Sequence, residues 1–380
     1  MADVAIIGAG IGGLCTAIGL QNRGFDPIVF ERTNELRPVG FGIGIGPNGM
    51  QALNELGVAD AVIEQGVVLD RIELRTEEGQ LLMPMDFRAP ANRLGLDHVM
   101  IAIHRADLQS ILVERLSKER LRLGMECEGI GSEQPAIQFA AGNEKTANLV
   151  IGADGIDSTV REHVFPGNQP RYVGEVAYRG LVDVTVPDDI SPKGMEFWGQ
   201  GLRFGYFPVG DKQVYWFASI VASPTETAPE ATASKLAERY RKFVDPIPDL
   251  IARTNDETLL RTPLTDLPRL THWTSGRVAL LGDAAHAMTP NLAQGSAQAM
   301  EDAIVLADSI ATHGTTRRAL ADYEARRKER AESVCRQSRI QGRLAQIKHP
   351  IVARFRNAAL RYAPSLLLQK QTESLIDMDF

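Results

Sequence analysis

The chain opens on a short apolar run, Asp3 to Ile7, followed from Gly12 to Asn22 by small and apolar residues at helical spacing. Pro27 to Phe30 is a second apolar run, ending at Glu31. Strands buried on both faces of a parallel sheet read as continuous apolar runs, so these segments predict a β-α-β unit with a right-handed crossover. Gly46 to Leu56 predicts a helix opened by Pro47 and Asn48. From Val68 to Met85 apolar and polar residues alternate, as in Arg71-Ile72-Glu73-Leu74-Arg75, which predicts a half-buried antiparallel strand. Helical spacing returns at Arg105 to Leu116, and Asn148 to Ile151 is another apolar strand.

The pattern changes between Tyr172 and about Leu264. Strand-like runs recur at Glu175 to Val184, Gly194 to Trp198, Leu202 to Phe207 and Val214 to Ile220, and a helix is expected near Ala233 to Val244. Val278 to Leu281 then resumes a parallel-type strand, and helices fill most of the remainder. Strands in series after an α/β segment imply an inserted antiparallel sheet. The expected fold class is α/β: a doubly wound dinucleotide-binding domain (residues 1–70, 98–170 and 265–345), an inserted antiparallel-sheet substrate domain (71–97 and 171–264) and a helical C-terminus (346–380).

Composition narrows the class. With 44% apolar and 23% charged residues in 380, the chain reads as an ordinary soluble protein. Its net charge of −7 argues against general affinity for nucleic acid or acidic membranes. Cys15, Cys127 and Cys335 are too far apart to form a redox or metal pair, and the seven histidines lack ligand spacing; a reduced cytoplasmic protein without metal is expected. The apolar stretch Met1 to Leu20 lacks the basic start of a signal peptide, carries Asp3 and is broken by five glycines. No run of about 18 apolar residues occurs that would span a membrane.

Three motifs carry chemistry. Gly8-Ala9-Gly10-Ile11-Gly12-Gly13 joins the first strand to the first helix. Gly8 suits the tight turn, Gly10 the close approach of a pyrophosphate, and Gly13 the contact between helix and strand. The helix start offers free N–H groups to phosphates, and Glu31 follows where a carboxylate accepts from ribose hydroxyls. A second literal match, Gly44-Ile45-Gly46-Pro47-Asn48-Gly49, follows a stretch containing Pro38 rather than a buried strand, and is read as a flexible loop feeding a helix. The second motif is Gly152-Ala153-Asp154-Gly155, continuing to Arg161. The third runs from Gly282-Asp283 through His286 and Pro290 to Ala293-Gln294-Gly295. There an Asp after a strand suits a ribityl hydroxyl, and a helix beginning near Gly295 suits negative charge on a reduced flavin ring.

In this order and spacing the motifs resemble the single-component FAD-dependent aromatic hydroxylases of p-hydroxybenzoate hydroxylase fold, and within them the FAD-dependent urate hydroxylases. The resemblance covers roughly residues 3 to 335. It implies non-covalent FAD bound by Gly8, Gly10, Gly12, Gly13, Glu31, Arg32, Gly44, Arg105, Cys127, Asp154, Asp283, Ala293, Gln294, Gly295, Ser296 and Ala297. It also implies NADH or NADPH as co-substrate, O2 adding at flavin C4a, and transfer of oxygen to a small aromatic or heteroaromatic acceptor. Arg203, Tyr215 and Pro290 are the candidate catalytic residues. Ala293 stands where the family usually has glycine, which is tolerable if its φ is negative. A monomer or homodimer is expected.

Two rival functions share these motifs: an FAD-dependent reductase or dehydrogenase of an isoprenoid-like substrate, and a flavin-binding sensor without turnover. His286 is read as a packing or hydrogen-bonding residue. Tyr323-Glu324 with Arg326, Arg327 and Arg330 is read as a solvated, salt-bridged face. Ile351, Val352 and Phe355 share a helical face, which is expected to pack on the core rather than touch a membrane. For Arg203 and Tyr215 to share a site, Phe207 must pair with Tyr215. A three-residue loop, Gly210 to Lys212, would do this and would leave room for a ligand at Gly205; a two-residue turn would put Arg203 on the opposite face.

Overall fold

The computed structural model describes residues 2–36, 40–96, 99–131, 135–140, 142–184, 193–210, 212–223 and 232–378. Pro38 and the expected domain boundary at residues 97 and 98 lie outside them. The first strand, Ala2–Ile7, runs parallel to Pro27–Phe30 on one side and Glu144–Gly152 on the other. Val278–Leu280 extends the parallel array beyond Glu144–Gly152, and Leu121–Arg122 extends it beyond Pro27–Phe30. Numbered along the chain, the five parallel strands thus lie in the order 3-2-1-4-5, the reversal that marks a doubly wound fold. Its core strands are apolar on both faces: Val4, Ile6, Leu149 and Val278 have no exposed surface, and helix Ile11–Asn22 packs on the first two strands with Gly295–His313 behind it.

A seven-stranded sheet stands beside the first, in the order Leu260–Asp266, Arg171–Asp183, Gln213–Val221, Leu202–Gly210, Lys193–Trp198, Arg71–Thr76, Leu81–Asp86. It is not wholly antiparallel as expected: Lys193–Trp198 pairs parallel with Arg71–Thr76. These two strands come from distant parts of the chain, so no hairpin fixes their direction. The alternation over Val68 to Met85 is three strands, Val67–Leu69, Arg71–Thr76 and Leu81–Asp86, the last two joined by a turn with Gly79 at φ +85°. Val67–Leu69 belongs to a small third sheet with Met100–His104 and Gly42–Ile45. The presumed flexible loop at Gly44 is thus an ordered strand, its glycines admitting neighbours: a Cβ on Gly44 would lie 2.3 Å from Met100 Cε.

Three further expectations fail for definable reasons. The helix from Ala233 ends at Arg239, because Tyr240 turns inward and donates to the carbonyls of Arg203 and Ser219. The helix Arg317–Ala345 is not a solvated ladder, since Tyr323 and Arg327 are fully buried. The helix Pro350–Arg361 packs through Ala353 and Arg356, leaving Ile351, Val352 and Phe355 exposed by 58%, 47% and 73%. Arg356 sets that rotation: it donates to the carbonyls of Leu344 and Ala345 and lies 5.2 Å from the centre of the Trp198 ring.

Candidate active site

The glycine loop sits where three strands end together. Gly8 has φ +106°, and a Cβ there would lie 2.4 Å from the Ala153 carbonyl oxygen. A Cβ on Gly13 would lie 2.0 Å from the Gly8 oxygen, so these two glycines serve the protein's own packing. Gly10 differs, with nothing within 4 Å of the added carbon. Its backbone faces open space ahead of helix Ile11–Asn22, whose first turn has no side-chain cap. That combination fits a phosphate group. Glu31 is held under the loop, accepting from the Ala9 N–H at 2.9 Å and the Thr33 N–H at 3.0 Å. Oε1 also accepts from the Thr33 hydroxyl at 3.1 Å, so Oε2 is the oxygen that keeps a lone pair for a further donor.

The third motif forms the opposite wall. Asp283 opens a short helix after Gly282 and lines the cavity into which the third motif faces. Burial pushes its carboxyl above the usual range, while His286 and Arg105 pull it down. Helix Gly295–His313 lacks a side-chain cap because Gln294 instead exchanges hydrogen bonds with Asn48. The first turn of this 19-residue helix, at Gly295 and Ser296, therefore presents polarised N–H groups to the cavity. Ala293 has φ +52°, the left-handed region, so the condition of a negative φ is not met. Its position is imposed by the turn between Pro290–Leu292 and the helix.

A buried network fixes this wall. Asp302 accepts from the Gly282 N–H at 3.0 Å, from His286 Nε2 at 2.6 Å and from Arg327 Nε at 2.8 Å. Burial is the largest influence on the Asp302 carboxyl and pushes it up; His286 and Arg327 together outweigh it and hold it at about 2. Arg327 and Arg330 also grip Glu301, at 2.6 and 2.7 Å, and Asn48 donates to the same carboxylate. His286 is a fastening, as its packing against Trp273 also indicates.

The strands Leu202–Gly210 and Gln213–Val221 close the cavity. Phe207 pairs with Tyr215, Gly205 with Phe217 and Arg203 with Ser219, so Arg203 and Tyr215 share a face. The offset does not come from the proposed three-residue loop. Gly210 pairs with Gln213, and a bulge between Pro208 and Gly210 shifts the register by one. Asp211 lies outside the described residues. Gly205 does not leave room for a ligand: a Cβ there would sit 2.3 Å from Phe217, whose ring occupies the space.

A cavity of about 810 Å³ joins these walls. Gly10, Gly12, Gly44, Arg105, Asp283, Ala293, Gly295 and Ser296 line it together with Pro290, Arg203 and Tyr215. Gly8, Gly13, Glu31, Arg32, Cys127, Gln294 and Ala297 are not among its lining residues. Asp154 also turns away, accepting from Ser158 Oγ and the Val160 N–H beside helix Thr159–Val164, while Ala153 and Gly155 line the cavity in its place. Cys127 is buried on its strand, which pushes its thiol to about 11.

Three functional neighbours escape sequence reasoning. Glu196 holds Arg203 at two points, 2.7 and 2.9 Å, and Asn291 accepts from the same guanidinium at 2.5 Å. Arg179 lies close enough to the Tyr215 phenol for its positive charge to offset part of the effect of burial. Arg179 pairs across the sheet with Phe217, so extending the strand register to Glu175–Val184 would have found it. Glu196 reaches Arg203 from a segment with no motif, and Asn291 stands inside the third motif at a position to which the motif gives no role. The Tyr215 hydroxyl is pushed to about 12, chiefly by burial.

Two uncapped helix starts converging on one cavity, with a carboxylate and an open glycine backbone, define a flavin-dinucleotide fold. Residues 1–338 match the FAD binding domain family, and the chain belongs to it. It is 36% identical to the aurachin C monooxygenase/isomerase of Stigmatella aurantiaca, over 95% of this chain and 94% of that one. It is 35% identical to the 2-heptyl-3-hydroxy-4(1H)-quinolone synthase of Pseudomonas aeruginosa, with the same coverage. The FAD-dependent urate hydroxylase of Mycolicibacterium vanbaalenii is 33% identical, over 92% of this chain and 90% of that one. The crystal structure of Klebsiella pneumoniae HpxO complexed with FAD and uric acid superposes with a TM-score of 0.89 at 27% identity, covering 98% of this chain and 96% of that one. The chain is an FAD-dependent monooxygenase of the class acting on aromatic and heteroaromatic rings, and the reductase and sensor readings are not favoured.

Proposed function

We propose that the enzyme hydroxylates a planar heteroaromatic acceptor bearing a ring oxygen, seated between the flavin end of the cavity and the Phe207, Tyr215 and Phe217 wall. The observation that supports this most is the single cavity running from the helix starts to that wall. FAD, once bound and reduced by NADH or NADPH, supplies the chemistry by activating O2 and delivering one oxygen atom. Gly10, Gly12 and the first turn at Gly295–Ser296 would hold its pyrophosphate and ring, and Asp283 would accept from its ribityl chain. Glu31, with the loop fixed above it, takes the ribose.

On the acceptor side, the Arg179 guanidinium beside the Tyr215 phenol favours its ionised form, while burial outweighs this and keeps the phenol's own proton in place. Held protonated by burial, Tyr215 donates that proton in a hydrogen bond to the acceptor's ring oxygen. Arg179 supports the negative charge that gathers there as the ring is attacked. Arg203 reaches the cavity already neutralised by Glu196 and positions the Pro290–Leu292 turn through Asn291. The apolar lining, Phe207, Phe217, Leu264 and Met288 among it, keeps water from the reacting oxygen. Relatives named for quinolones and urate share the required acceptor: a flat ring with a carbonyl oxygen.

The deciding measurement combines NAD(P)H oxidation, O2 uptake and product analysis on the purified protein with 4-quinolones, urate and aminohydroxybenzoates. One acceptor should stimulate all three in equal amounts. NAD(P)H consumption without O2 uptake would overturn the reading.

A further inference from the structure

Of the nine exposed large apolar side chains among the described residues, six lie between residues 340 and 362: Ile340, Leu344, Ile351, Val352, Phe355 and Tyr362. Single exposed apolar residues are ordinary, but a cluster on neighbouring turns marks a surface that is covered in use. The charge along this stretch of sequence is equally uneven. From Ser333 to Thr372 the chain carries eight Lys or Arg and no Asp or Glu, although its net charge is −7. Arg343, Lys348 and Arg354 are exposed among them.

The packing enforces this display. Arg356 is spent inside, on the carbonyls of Leu344 and Ala345 and on the Trp198 ring, so helix Pro350–Arg361 cannot roll to bury Phe355 without losing those contacts. We propose that this face docks on the surface of an anionic lipid bilayer. Ile351 and Phe355 enter the acyl boundary, and Arg343, Lys348 and Arg354 sit at phosphate level. No helix among the described residues is long and apolar enough to cross a membrane, so the contact lies in the plane of the surface. A second copy of the chain is a poorer occupant, because face-to-face pairing sets cation against cation. Long basic side chains among aliphatic and aromatic ones suit an interface where stems stay in hydrocarbon and charges in water.

The docking face adjoins the acceptor end of the cavity. Gln346, at the end of the preceding helix, donates to Ser219 Oγ at 2.6 Å, and Ser219 lines the cavity. An apolar acceptor dissolved in the bilayer thus meets the enzyme beside the wall that receives it.

Flotation of the FAD-loaded enzyme with vesicles tests the contact independently of turnover. Wild type should float with phosphatidylcholine–phosphatidylglycerol vesicles and stay in solution with phosphatidylcholine alone. The pair Ile351→Asp and Phe355→Asp, and separately the pair Arg343→Glu and Arg354→Glu, should each lower binding roughly tenfold or more at unchanged FAD content. Wild type that ignores anionic vesicles, binds neutral ones equally, or matches both variants overturns the proposal. So does a patch that controls only dimerisation in sedimentation velocity.

Discussion

Arg203 and Glu196 meet across neighbouring strands as a two-point ion pair, with both side chains almost wholly buried. Glu196 also accepts from the Trp198 indole N–H, so it serves two donors at once. The pair turns an arginine on the cavity wall into a neutral unit. An acceptor meeting it finds hydrogen bonds rather than net charge.

Glu196→Gln should therefore be more harmful than its size suggests. It strands a buried guanidinium, and breaking such a pair costs about 3–5 kcal/mol. Urea unfolding should show that loss, and affinity for acidic acceptors should rise as the uncompensated charge becomes available. A variant as stable as wild type would show that Arg203 is paid for by other contacts.

Tyr215→Phe should lower kcat/KM roughly tenfold with FAD binding unchanged, the usual consequence of losing one hydrogen bond to a charged or charging group. The same phenol gives an alkaline signature. An unfolded tyrosine ionises near pH ~10, whereas Tyr215 keeps its proton to about 12. Above the lower value the unfolded chain sheds a proton that the folded chain retains. The stability linked to this group is therefore complete below pH ~10 and lost as pH rises through about 12. Burial pushes Tyr240 and Tyr323 in the same direction. Urea midpoints measured from neutral pH upward should hold steady and then fall in that window.

Asp283→Ala should weaken FAD binding roughly ten- to hundredfold, as expected for one charge-assisted hydrogen bond. Fluorescence titration of the apoprotein would read it. The flavin should also leave completely on acid denaturation. Cys15, Cys127 and Cys335 are buried with their thiols held protonated, and His286 is committed to Asp302, so none is placed to form a covalent link. Colour in the precipitate would contradict this.

Ala293→Gly should stabilise the enzyme by about 1 kcal/mol, the order of strain an L residue carries in the left-handed region. Thermal unfolding of the FAD complex should shift upward. An unchanged or lower midpoint would mean that the methyl's packing offsets the strain.

The parallel strands and the glycine loop were legible because each is local: a continuous apolar run, a turn, then a helix of small residues. Ile7, Gly8 and Gly13 declare their places within a dozen positions. What stayed hidden depends on partners far along the chain. Nothing near Arg327 announces that it is buried, because Glu301, Asp302 and Gln298 come from the preceding helix. The register of Tyr215 was reached for the wrong reason, through a longer loop, since a bulge leaves no mark in composition. Glu196 belongs to a cross-strand row that only the assembled sheet reveals.

The fastening of Gly282 through Asp302 to Arg327 has a consequence for biogenesis. A ribosome completes the glycine loop more than 250 codons before it supplies Asp283 and Gly295, and Arg327 comes later still. Until then the pyrophosphate cradle has one wall. Cofactor capture is thus a late event in the life of each molecule, and a chain truncated before the long C-terminal helix would keep its nucleotide signature while lacking the means to close on the nucleotide.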